Sequence, residues 1–310
     1  LRYSENISPD GKRSQPYQDV ERKVVLQRVV RGYIEELIDG PCLVDDNGDC
    51  VPGTESQISR TVPEWLETYY VYDVYGQLRY ILPPKLVTGS NPTESQLNTY
   101  AFRYEYDAEG RQIKAKKPGA DWDYFVYDRW GRQVLSQDAL QRTRFEWSFV
   151  KFDRYNRAIA SGIYNTTKSH ATLQSEVTAF SGRYESKTNN AVGYTLNGTY
   201  PNTVSANDLM VISYFDTYDF LGYPGWDADA NNYSFNLPAG FTGDRVELTL
   251  DYSTGGKVRV IGQDLWLNAV TYYDRDGQPI HSVTENHLGG TDRATFEYDF
   301  TGLILKSLLN

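Results

Sequence analysis

Apolar and polar residues alternate with period two along much of this chain. In Phe102-Arg103-Tyr104-Glu105-Tyr106-Asp107 the aromatics take every second position and the charges fall between them. An extended strand with this pattern lines one face with aromatics and the other with charges. Ala108-Glu109-Gly110-Arg111 follows, and then a second alternating run through Ile113 and Ala115. Two such runs around a short polar break predict a β-hairpin. The break recurs: Tyr72-Asp73, Tyr106-Asp107, Tyr127-Asp128, Tyr273-Asp274 and Tyr298-Asp299 each have glycine three residues after the Asp, at Gly76, Gly110, Gly131, Gly277 and Gly302. A sixth copy, Phe152-Asp153-Arg154-Tyr155-Asn156-Arg157, carries Asn156 in the glycine position, and a looser seventh sits at Phe215-Asp216.

Each residue of the break has a physical task. Asp at the first turn position accepts a bond from the backbone N–H two residues on. Glycine at the fourth position takes the positive φ of a bulged hairpin loop. Asparagine is the next best residue there, which accounts for Asn156. The tyrosine lays a large ring on the sheet face and keeps its hydroxyl near water or a partner. A lone hairpin is marginal in water, so the copies are expected to stack side by side. The expected fold class is all-β, a strip of stacked antiparallel β-hairpins. Aspartates 73, 107, 128, 153, 216, 274 and 299 are unevenly spaced, which implies insertions. The clearest is a Ser/Thr/Asn/Gly-rich stretch at about 161–206, with alternating pieces from Val177 to Tyr184 and from Tyr194 to Tyr200. It reads as a decorated loop or an extended surface hairpin. Residues 17–39 have charges that suit a helix stopped by Gly40-Pro41, but the β-branched pairs Val24-Val25 and Val29-Val30, with Gly32, favour strands.

Over roughly residues 66–310 these motifs resemble the RHS/YD-repeat family, which includes bacterial toxin shells, toxin-complex cages and teneurin ectodomains. The consensus, close to Tyr-Asp-x-x-Gly-Arg, is matched at Tyr106–Arg111 and Tyr127–Arg132. Tyr70–Pro84 is similar to a longer conserved-type segment of bacterial RHS proteins, as are Asp138-Ala139 with Lys151-Phe152-Asp153, Lys257–Trp266, and Asn286–Gly290 with Asp292-Arg293. The resemblance implies a β-strip that spirals into part or all of a hollow shell, or a surface scaffold for adhesion. It implies a secreted or surface-exposed bacterial protein, associated with the outer membrane. Implied partners are other parts of a longer polypeptide, or a protein of a secretion or surface complex. An aspartate-rich self-cleavage core and a variable terminal domain, present in complete toxins of the family, are not found here. The chain starts and ends within repeat-like sequence, so a longer parent protein is expected, with residues 1–65 forming an N-terminal β segment.

Composition sharpens this picture. The 310 residues include 26 tyrosines and one methionine, with a modest apolar fraction of 40%. That suits a wide sheet with two amphipathic faces better than one thick core. The net charge of −10 and the lack of Lys/Arg clusters interleaved with aromatics argue against nucleic acid or an anionic membrane as partner. No apolar run is long enough to span a bilayer as a helix.

Cys42 and Cys50, the only cysteines, flank Leu43–Asp49 with Asn47-Gly48 at the tip. A hairpin closed by a Cys42–Cys50 disulfide is sterically reasonable; it would add roughly 2–3 kcal/mol in the chain-entropy model and place the protein in an oxidising compartment. Two free cysteines are the alternative. Asp45, Asn47 and Asp49 have the alternate spacing of calcium ligands, but the glycine is misplaced and no Glu follows at the twelfth position, so a solvated acidic turn is the default. His170, His281 and His287 are scattered without carboxylate or thiol partners at zinc or triad spacing. His281 reads as a half-exposed sheet residue and His287 as part of a turn. Nucleotide-binding glycine motifs are missing. A glycosidase carboxylate pair is invisible to sequence. Asp227-Ala228-Asp229 beside Trp226 and Tyr223 reads either as a sugar-binding ledge or as an acidic loop packed by aromatics. The expectation is a scaffold without enzyme activity, metal or cofactor.

Overall fold

The computed structural model describes residues 2–3, 6–7, 13–18, 24–39, 57–86, 91–226 and 232–310. The chain is nearly all antiparallel β-sheet, as the alternation requires. It divides into two compact units, residues 1–123 and 124–310, a division that falls inside the expected 66–310 strip.

The first unit contains β1 (Arg2–Tyr3), β2 (Asn6–Ile7), β3 (Arg13–Gln18), β4 (Val24–Asp39), β5 (Gln57–Tyr72), β6 (Leu78–Leu82), β7 (Phe102–Tyr106) and β8 (Gln112–Lys116). Of the region 17–39, residues 17–18 and 24–39 are described and are strand, as the β-branched pairs favour. β4 and β5 form a long hairpin from Leu26↔Tyr69 to Asp39↔Gln57, with one register shift between Val30 and Gly32. Pairing continues β5–β6, β6–β7 and β7–β8. Helix α1 (Glu94–Tyr100) interrupts the β6–β7 connection, started by a reciprocal capping box between Thr93 and Gln96. In β6, β7 and β8 only Lys116 is buried and every other residue is half-buried. This part of the sheet matches the expected two amphipathic faces.

The second unit is a ten-strand antiparallel meander. It comprises β9 (Trp122–Tyr127), β10 (Gln133–Gln137), β11 (Glu146–Phe152), β12 (Ala158–Asn165), β13 (Leu209–Asp216), β14 (Thr249–Arg259), β15 (Trp266–Tyr273), β16 (Pro279–Glu285), β17 (Thr291–Tyr298) and β18 (Ile304–Leu309). Each strand pairs with the next. Helices α2 (Ala139–Thr143) and α3 (His170–Ala179) lie in the return connections. One sheet face is buried with period two: Trp147, Phe149 and Lys151 on β11, and Asn268, Val270 and Tyr272 on β15.

That face is covered by the chain's own insertions. Residues 166–208 contribute Leu173, Val177, Tyr194 and Tyr200 to the core, and residues 217–248 contribute Phe220, Trp226 and Tyr233. Trp226 meets Tyr214, Phe220 and Tyr233 edge-on at ring separations of 5.7, 4.8 and 5.2 Å. Phe220 also stacks on Tyr214 at 4.5 Å. It crowds Gly255 so closely that a Cβ there would lie 2.4 Å from the ring. The stretch at 161–206 is therefore neither a decorated loop nor a surface hairpin. It completes β12, forms α3 and then packs irregular chain onto the sheet. Its apolar residues are few but large, and a lid of aromatics needs no continuous apolar run. A genuine core results, which composition alone did not suggest.

Candidate functional site: a row of stapled corners

The recurring break builds one loop geometry. At Asp107 the backbone N–H donates to Arg111 O (3.0 Å) and Gly110 N–H donates to Asp107 O (3.1 Å). The Asp107 carboxylate then divides its two oxygens. Oδ1 accepts from the backbone of Glu109 (3.1 Å) and Arg111 (2.8 Å), while Oδ2 accepts from Arg111 Nε (2.7 Å). Asp73, Asp128, Asp153, Asp274 and Asp299 accept the same pair of backbone bonds. Gly76, Gly110, Gly131, Gly277 and Gly302 have φ of 74°, 80°, 79°, 79° and 87°, and Asn156 has 64°. The left-handed conformation explains the restriction to glycine and asparagine. Asn286 builds the same loop with Gly289 and Gly290, accepting from Leu288 and Gly290 backbone; His287 sits in that turn.

Each of the six Asp corners is followed by a second irregularity, which the Asn286 turn lacks. Tyr106 pairs with Gln112, but Glu105 pairs with Lys114, so Ile113 is an extra residue. The same one-residue bulge occurs at Arg79, Val134, Ile159, Ile280 and Leu305. In β10, β12 and β16 it turns two successive residues to the buried face: Val134 and Leu135, Ile159 and Ala160, Ile280 and His281. This corrects the half-exposed reading of His281, which is 1% exposed. Period-two counting places it opposite Ile280, and the bulge breaks the count.

Arg132 after Gly131 and Arg157 after Asn156 join neighbouring corners. Arg132 Nε holds Asp128 (2.7 Å), while Nη1 donates to Asn156 Oδ1 (3.1 Å) of the next corner. Its guanidinium lies 4.5 Å from the Phe152 ring centre. Arg157 repeats this one corner on. Nε holds Asp153 (2.7 Å), Nη1 and Nη2 grip both oxygens of Asp216 (2.6 and 2.8 Å), and the group stacks 4.5 Å over Phe215. The Arg157–Asp216 contact is bidentate, charge-assisted and partly buried, the strong form of ion pair, whereas Arg132 reaches Asn156 through one hydrogen bond. Arg157 holds the Asp216 carboxyl below its ordinary range, chiefly through that hydrogen bond, and its own guanidinium is raised by the same contact. The looser copy at Asp216 ends its strand in the same place but with another geometry: it pairs with Thr249 across the insertion at 217–248, takes the positive φ (76°) itself, and accepts from Asp251 N (3.0 Å). The tyrosines also reach back. Tyr106 donates to Leu78 O (2.9 Å), the first residue of β6, and Tyr298 donates to Pro279 O (3.0 Å), the first residue of β16.

The Asp corners each join an odd-numbered strand to the next even one, whereas the Asn286 turn joins β16 to β17. Within each unit the Asp corners therefore fall at one end of its strands: Asp73 and Asp107 in the first, and Asp128, Asp153, Asp216, Asp274 and Asp299 in the second.

Two further arrangements anchor the insertion. Lys151 is fully buried, and its Nζ donates to the carbonyls of Leu196, Thr199 and Pro201 at 2.8, 2.9 and 2.6 Å. It also lies 3.3 Å from Glu185 Oε1. Glu185 accepts from Thr195 Oγ1, Gly198 N, Thr199 N and Thr199 Oγ1 at 2.6–2.8 Å. Desolvation pushes the Lys151 ammonium down to about 8 despite its carboxylate partner. Secondly, α3 serves the backbone of β9. Gln174 accepts from Tyr127 N (3.1 Å) and donates to Tyr127 O (2.8 Å), imitating a neighbouring strand. His170 Nε2 bonds Phe125 O (2.9 Å), with its ring stacked against Tyr124 and Trp147 at 5.1 and 6.3 Å.

Cys42, Cys50, Asp45, Asn47, Asp49, Asp227 and Asp229 lie outside the described residues. Trp226, beside the last two, is 1% exposed in the core and offers no ledge. Among the described residues, no cluster of three or more His, Cys, Asp or Glu is arranged to hold a metal. No helix there is long and apolar enough to cross a membrane.

No protein-family model matches the chain, and no curated protein matches it. Among solved structures it is similar to TcdB2-TccC3 without the hypervariable C-terminal region, at 13% identity and a TM-score of 0.39 over 98% of this chain. It is also similar to TcdB2-TccC3-Cdc42 (13%, 0.32, 96%) and to TcdB2-TccC3-TEV (11%, 0.36, 97%). The chain spans 12%, 13% and 14% of those three chains. Superposition at this level transfers neither fold nor function.

Proposed function

We propose that this chain is a wall segment: a structural scaffold of RHS type, within a longer secreted or surface-exposed bacterial protein, that encloses a cavity or presents a rigid surface. It has no catalytic role in this reading. The observation that carries it is the arginine staple. Arg132 and Arg157 each bind their own corner and the next one along, so these residues of the repeat hold successive hairpins in a continuous sheet. Electron microscopy of the parent gene product tests this directly. A hollow particle whose wall contains this segment is expected; a solid globular particle would overturn it.

A second reading is favoured by one specific feature. Leu303, Ile304, Leu305 and Leu309 are exposed at and beside β18. Clustered exposed apolar side chains suit a protein partner, so the same strip serves as an interaction module docked to a secretion or surface complex. Stoichiometric co-purification of a partner, lost when Leu305 is replaced by lysine, supports docking; a monomer indifferent to that replacement removes it.

A further inference from the structure

The second unit contains an open cavity of about 510 Å³ that the scaffold role does not use. It lies within the range of small-ligand sites, about 300–1,000 Å³. Strand β14, the start of β15 and the Asn286–Gly290 corner form its walls, with Ala191 and Gly225 of the two insertions at the rim. Its formal charges cancel: Lys257 and Arg259 face Asp264 and Glu285. Those charges are also largely engaged. Arg259 donates to Asn207 O (2.6 Å) and Asp264 Oδ1 (3.0 Å), Lys257 Nζ donates to Gly225 O (3.1 Å), and Glu285 accepts from Asn268 N (2.8 Å) and from the Tyr233 hydroxyl. A phosphate or carboxylate ligand needs a cationic excess that this wall lacks. What remains on offer is an aromatic surface, Trp266, and a polar wall rich in amides, Asn207 and Asn268 among them. The Nδ2 of Asn268 donates to the Tyr233 hydroxyl (3.1 Å), but its Oδ1 is buried without a hydrogen-bond partner. A buried acceptor left unmade is unfavourable, so it marks a place for a donor.

We propose that this cavity binds a neutral polyhydroxylated ligand, a mono- or disaccharide unit, with its C–H face on Trp266 and a hydroxyl donated towards Asn268 Oδ1. The negative face of an aromatic ring suits the weakly positive C–H face of a sugar, and uncharged hydroxyls both donate to and accept from a charge-balanced wall. The site is separate from the corners, and its failure leaves the scaffold reading untouched.

The test is saturation-transfer NMR on the whole chain with maltose, cellobiose, lactose and diacetylchitobiose, each at about 1 mM, where even weak sites of about −4 kcal/mol are half occupied. Inorganic phosphate and AMP serve as charged probes. Transfer to at least one disaccharide is expected, falling at least about tenfold in Trp266→Ala. Ala191→Phe, which fills the mouth from an exposed position without touching the core, should abolish it with the circular dichroism unchanged. No transfer to any of the four sugars, transfer undiminished in Ala191→Phe, or binding of AMP or phosphate in place of sugars would each overturn the proposal.

Discussion

Asp and Gly of the repeat act through backbone, and Arg acts through its side chain; the three make different predictions. At Gly131 a Cβ would meet nothing within 4 Å, so any cost of substitution comes from the φ of 79°. Gly131→Val should therefore destabilise by about 1–3 kcal/mol, and Gly131→Asn by under about 1 kcal/mol, as Asn156 already illustrates. Equal melting temperatures for the two variants would remove the conformational explanation. Arg157→Lys keeps the charge but loses the fork onto Asp216 and the stack on Phe215, and a loss of about 1–3 kcal/mol in denaturant unfolding is expected. Asp216 gives that staple a pH signature. Its folded pKa lies below the unfolded value, so its contribution is present above about pH 4 and is lost as pH falls through the depressed value. In Arg157→Lys that acid-side slope should flatten.

Strands were far more legible in the sequence than the pieces joining them. Alternation and the Asp-x-x-Gly break mark the hairpins because both signals are local. Signals for α1 and α2 were also present, as Thr93 with Gln96 and Asp138 with Gln141, each a capping box; they are masked by strand-like neighbours and by the shortness of the helices. Lys151 and Glu185 carry no local signal, since their meeting depends on how the insertion folds back. Removing one partner of such a buried pair costs about 3–5 kcal/mol. Lys151→Met is expected to lose that amount and to expose residues 180–206 to protease, and Lys151→Met with Glu185→Leu should recover much of it. If the double variant is as unstable as the single one, the charge pair is not what holds the insertion. Gln174 is a similar case on α3. Gln174→Ala should accelerate hydrogen exchange at the Tyr127 amide at least severalfold, since that N–H loses its acceptor; an unchanged rate would mean that the helix does not guard β9.

For the second unit as a whole, the unforeseen element is the core. Its aromatics are spread through polar insertions, so neither composition nor hydropathy announces it, and the bulges that turn pairs such as Ile280 and His281 inward are invisible to period-two counting. His281 ties this core to pH. Burial, with the nearby Arg293 charge, lowers its pKa; Nδ1 bonds Thr295 Oγ1 (2.9 Å) and Nε2 has no partner. The unfolded chain takes up the proton more readily, so stability is full above about pH 6.5 and declines as pH falls below it. In His281→Leu the unfolding free energy should vary less between pH 7 and 5; an unchanged slope would assign the pH dependence elsewhere.

The staples also give the sheet a mechanical grain. A meander pulled at right angles to its strands ordinarily peels one hairpin at a time under a low, saw-toothed load. Here Arg132 ties the hairpin of β9 and β10 to that of β11 and β12, and Arg157 ties the latter to β13. Tearing along that edge must rupture a guanidinium contact at both steps. At the opposite edge Arg259 joins the β12–β13 connection to the β14–β15 turn, so the reinforced margin changes sides near β13, and under tension the wall should hold on the corner side before that strand and on the other side after it.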